Sequence, residues 1–127
     1  MNRSTIILNR MMNDVHPRVL LSGWRYFLLM RIRSFDEQPQ EISGRIQGKR
    51  NKYIYNTNIV QIDDEKISYE CDCPSMVAPC KHAVALGLKY YAKQNRRGVW
   101  RVLPISFLLK MWFMVHKGIH KQQGLIV

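Results

Sequence analysis

The sequence predicts an α+β fold: a small antiparallel β-meander of about four strands, packed with a helix that follows it. Three observations point there. Short segments between residues 24 and 70 alternate apolar and polar side chains with a period of two. After Pro79 the apolar period lengthens to that of a helix. At the junction stand Cys71, Cys73, Cys80 and His82, which include every cysteine of the chain.

The first strand is expected within "WRYFLLMRIRSF" (24–35), aromatic and apolar, where Met30 and Ile32 interleave with Arg31 and Arg33. "EISGRIQG" (41–48) puts Ile42, Gly44 and Ile46 on one side and reads as the second. "KYIYNTNIVQI" (52–62) is β-branched and aromatic, and "KISYE" (66–70) alternates Ile67 with Tyr69. The connections "DEQPQ", "QGKRN" and "DDEK" have the chemistry of turns. In "CKHAVALGLKYYAKQ", Ala83, Leu86 and Tyr90 recur at helical spacing. Pro79 blocks earlier propagation and "NRRG" (95–98) ends the helix. Gly87 is an odd choice inside it, costing about 1 kcal/mol relative to Ala.

With 127 residues the chain makes one domain, 46% hydrophobic and without low-complexity tracts. Residues 1–21 read as an N-terminal extension, 22–97 as the domain and 98–127 as an apolar and basic tail. The run from Ile105 to Val115, broken by Ser106 and Lys110, falls short of the roughly 20 apolar residues that span a bilayer. It reads as a helix buried in a core or covered by a partner, in preference to one lying on a membrane.

Twenty Lys and Arg against nine Asp and Glu give a formal charge of +11. That sign and size favour nucleic acid, an anionic surface or an acidic protein as partner. The candidate phosphate contacts are Arg45, Lys49, Arg50 and Lys52 in "RIQGKRNK", with Lys81, Lys89, Lys93, Arg96 and Arg97 on or after the helix. Arg3, Arg10 and Asp14 interrupt the N-terminal apolar runs, so no secretory leader is expected. Three cysteines do not pair off into disulfides, which favours a reducing, cytoplasmic setting.

In such a setting, the spacing C-x-C-x6-C-x-H is a metal-ligand pattern. Residues i and i+2 of an extended segment share a face, so Cys71 and Cys73 can aim both sulfurs at one point. The loop "PSMVAP" is long enough to return the second pair, with Cys80 at the helix cap and His82 in its first turn. Three thiolates with Zn²⁺ carry a net charge of −1, which a helix N-terminus and Lys81 favour, and the same surroundings are expected to lower the thiol pKa values. Four protein ligands leave no vacancy for water, which makes one structural Zn²⁺ and no catalysis the expectation. Chelation is expected to cost the fold.

"CDCP" and "PCKHAVAL" resemble the SWIM zinc finger, whose signature is C-x-C, a variable spacer, then C-x-H. The upstream strands resemble that family's as well, over about residues 22–95 and most closely over 41–93. The resemblance implies that Cys71, Cys73, Cys80 and His82 are the zinc ligands. Such fingers occur within chromatin-remodelling-type helicases, Mutator-type transposases and ubiquitin-pathway proteins, where they are thought to bind DNA or proteins. "LLSGWRYFLLMRIRSF" is similar to the segment before the finger in bacterial helicases of this kind. There is no G-x-x-x-x-G-K-[ST] loop, so ATP hydrolysis is not expected of this chain. The two expected uses are a nucleic-acid module, with DNA foremost, and a protein-interaction adaptor; no small-molecule substrate is expected.

Overall fold

A computed structural model describes residues 3–48, 52–61, 63, 66–75, 79–94 and 107–115. The elements are α1 (Arg3–Asp14), α2 (Pro17–Leu28), β1 (Ile32–Glu37), β2 (Glu41–Gln47), β3 (Ile54–Gln61), β4 (Ile67–Cys71) and α3 (Lys81–Gln94), then a short helix, α4, at 107–115. The strands form one antiparallel sheet in the order β1-β2-β3-β4. The meander and the helix after Pro79 thus stand where the alternation and the change of period put them.

The stretch 24–35 needs a correction, because its first half is helical. Trp24–Leu28 complete α2, and only Ile32 onward pairs with β2. The start signal lies upstream: His16 Nδ1 accepts the Arg18 backbone N–H at 3.1 Å, and Pro17 occupies the first turn with its φ already helical. From there Leu20, Gly23 and Tyr26 are buried at spacings of three, as a helix requires. The helix stops in a Schellman cap, with the Arg31 N–H donating to the Tyr26 carbonyl and the Met30 N–H to that of Phe27. Met30 takes the left-handed position, φ 55°, that glycine usually fills.

Residues 3–21, expected as an extension, form α1 and the start of α2 and fill the core. Ile7, Leu8, Met11, Val15 and Leu20 share one buried cluster with Ile42 and Ile46 of β2, Ile59 of β3 and the apolar side chains of α3. Helix α3 is therefore central, with His82 to Leu88 and Tyr90 all buried between the sheet and α1–α2. This gives Gly87 its reason: a Cβ there would run into the Met11 side chain of α1. Gly23 likewise lets α2 lie directly on Val84. Helix α4 inserts Phe107 and Met111, both fully buried, and its Lys110 ammonium donates to the Met12 carbonyl. Among the described residues no helix is long and apolar enough to cross a membrane.

Candidate metal centre

The last residue of β4 is Cys71, held opposite Thr57 of β3, and Cys73 follows two residues later. Cys80 immediately precedes α3 and acts as its cap: its sulfur receives the backbone N–H groups of His82 and Ala83. His82 is the second residue of the helix. The four ligand atoms lie within 4.8 Å of one another.

Tetrahedral zinc, with roughly 2.3 Å to sulfur and 2.0–2.1 Å to nitrogen, has S···N edges of about 3.6 Å. His82 Nδ1 stands 3.7 Å from Cys71 Sγ and 3.6 Å from Cys80 Sγ. Donor set and spacing both fit one Zn²⁺, which Cys71, Cys73, Cys80 and His82 would hold through Nδ1 of the imidazole. The widest separation, at most 4.8 Å, exceeds an S···S edge of about 3.8 Å by only about 1 Å.

Around the ligands, the Thr57 hydroxyl lies 3.2 Å from Cys71 Sγ, and the backbone N–H groups of Cys73 and Ser75 are directed at the sulfurs of Cys71 and Cys73. Donors aimed at sulfur stabilise thiolate and orient it. The Tyr55 and Tyr26 rings flank the imidazole, with centroids at 4.8 and 5.4 Å. His82 is 3% exposed, and its Nε2 is buried without a partner among the described groups.

The expectation that all three thiols are acidified is corrected. Without metal, Cys71 is pushed up to about 11, chiefly because it donates its proton to Cys80 and then because of burial. Burial also raises Cys73. Only Cys80 is lowered, first by that bond from Cys71 and then, against its own burial, by the Ala83 and His82 N–H groups. The helix terminus lowers the sulfur that caps it, the one that receives its N–H groups; on Cys71 the bond to Cys80 and burial win, and on Cys73 burial does.

The basic candidates are dispersed. Arg45 projects from β2 opposite Asn56, and the Lys93 ammonium lies 4.7 Å from the Phe35 ring on the far part of α3, where Lys89 is half-buried. Lys49, Arg50, Arg96 and Arg97 lie outside the described residues. Lys81, between two metal ligands, has its Nζ 5.1 Å from the Tyr26 ring, and Lys52, two rings away from His82, has its Nζ 5.6 Å from that of Tyr53, which neighbours Tyr55 at 6.4 Å. Two further cations join them. Arg31 Cζ stands 5.0 Å from the Tyr26 ring, and Arg18 lines a cavity of about 230 Å³ with Ser22, Lys81, Cys80 and His82. Arg18, Ser22 and Tyr26 repeat every fourth residue, a stripe visible only once α2 is read as a helix.

Residues 58–91 match the family model of the SWIM zinc finger, a stretch from Asn58 on β3 to Tyr91 on α3 that takes in all four ligands. Neither the curated proteins nor the solved structures contain a match to the chain.

Proposed function

We propose that this chain is a zinc-stapled module that holds nucleic acid, DNA foremost, against the face beside the metal. The observation that carries the reading is the grouping there of Arg18, Arg31, Lys52 and Lys81 along a row of rings, Tyr26, His82, Tyr55 and Tyr53. Cations held against aromatic faces are positioned before a phosphate arrives. Tyr53, 55% exposed, adds a ring on which a base can stack. The ion, when bound, contributes cross-linking between β4 and α3 and no reaction. With every coordination position taken by protein, the module binds and does not catalyse. Three free thiols are in keeping with a reducing, cytoplasmic setting. In a longer chain such a module would present DNA to a helicase-type motor, the setting suggested by the resemblance of the upstream segment.

The test is a binding titration of zinc-loaded protein with duplex and single-stranded DNA at rising salt. The double variant Arg18→Gln/Lys81→Gln should retain zinc, weaken binding across sequences, and reduce the duplex salt slope by about 1.8, the value for two phosphate contacts. Absence of affinity at low salt removes the reading. A second reading, as a protein-interaction adaptor, is favoured by an apolar groove on another side of the molecule.

A further inference from the structure

Helix α2 has a second stripe, turned away from the metal. Trp24 lines an apolar cavity of about 570 Å³ together with Leu108, Leu109, Trp112 and Val115 of α4. Leu109 and Trp112 are 60% and 61% exposed, and Leu28, one turn beyond Trp24, is 55% exposed. Large apolar side chains gathered in this way on a soluble surface mark a contact site. Phe107 and Met111 anchor α4 in the core, so its outward residues are held in place and are not the loose end of a frayed helix.

We infer that this groove receives one amphipathic helix of a partner protein, with acidic residues flanking its apolar stripe. Shape selects a helix: two neighbouring helices with an apolar trough between them accept a third by packing its ridge into that trough. Charge selects acidity. Neither α2 nor α4 carries an Asp or Glu, and Arg25, exposed, is the neighbour of Trp24 on α2. A second copy of the chain, at +11, would bring like charge to the contact. Residues 116–127 of the chain itself carry Lys117 and Lys121 and no acid, so they offer no complement either. A flat lipid surface would leave the trough unfilled. This inference stands apart from the nucleic-acid reading, since the two use different stripes of α2.

The experiment uses the zinc-loaded full chain and two labelled amphipathic peptides of about five helical turns. They share one apolar face and differ in carrying Glu or Lys along its flanks. Anisotropy titration should show the Glu peptide binding at least tenfold more tightly than the Lys peptide. Leu109→Ser and Trp112→Ser, both at exposed positions, should each weaken it about tenfold or more while zinc content stays at one per chain. Equal binding of the two peptides, or no binding of either, overturns the inference. So does Trp112-dependent capture by phosphatidylserine vesicles in place of the Glu peptide, or a dimer in sedimentation that Trp112→Ser dissolves.

Discussion

Stripping the metal and returning Zn²⁺ at a series of pH values probes the centre more sharply than chelation alone. In the metal-free fold, Cys71 titrates at about 11 and Cys73 is raised, so both are thiols near neutrality. Cys80 is lowered, so its proton is the easiest of the three to displace. Zinc takes sulfur as thiolate, so each ion must expel two protons from Cys71 and Cys73 and up to a third from Cys80. Every proton expelled makes the apparent affinity rise tenfold per pH unit. Rising pH removes the competitor and tightens binding; falling pH restores it and releases the ion. Between about pH 7 and 8, affinity should climb about a hundredfold, approaching a thousandfold if Cys80 contributes fully. Competition against a chromophoric chelator gives the slope, and an indicator dye in weak buffer counts the protons. A slope of tenfold or less per unit, with one proton or fewer released, would show that at least one of Cys71 and Cys73 does not bind, and the centre as described would be wrong.

Two further expectations follow from the packing. Thr57→Val keeps the shape of a fully buried side chain but deletes the hydroxyl 3.2 Å from Cys71 Sγ. Zinc affinity should drop about 10- to 100-fold with the fold intact, and an unchanged affinity would mean that the bond does not orient the ligand. Gly23→Ala and Gly87→Ala each gain about 1 kcal/mol of helix propensity but meet different neighbours. The new methyl at 23 strikes Val84, stiff at χ1, and comes within 3.0 Å of the Lys81 carbonyl. Overpacking of about 1–3 kcal/mol should leave that variant less stable by up to about 2 kcal/mol. At 87 the methyl collides with the flexible end of Met11 and makes an ordinary van der Waals contact with Ile7, so the change should fall within about 1 kcal/mol of neutral. Urea denaturation of both separates the cases; a larger loss at 87 than at 23 would contradict the packing described.

The release of structure on chelation also bears revising. The expectation of lost fold rested on a small core shared by a meander and one helix. The core instead runs through α1, α2, α3, α4, β2 and β3, while β4 contributes only the half-buried Ile67 and Tyr69. The ion's largest effect is therefore on β4 and the start of α3, the two pieces it joins.

What the sequence determined by itself is local. The meander was legible because strands of one half-buried sheet alternate with a period of two whatever lies across from them. The ligands were legible because a strand end, a proline-bounded loop and a helix start bring Cys71, Cys73, Cys80 and His82 together over a short span of chain. Tertiary structure decided the rest. "WRYFLLMRIRSF" holds the end of a helix and the start of a strand with no Gly or Pro between them, since Met30 fills the left-handed position without announcing it. Helix α3 is apolar on nearly every side, a pattern that cannot say which elements will cover it; Gly23 and Gly87 acquire meaning only against Val84 and Met11. The acidity of each thiol, too, depends on which sulfur caps the helix and which are buried beside it, and spacing along the chain does not encode that.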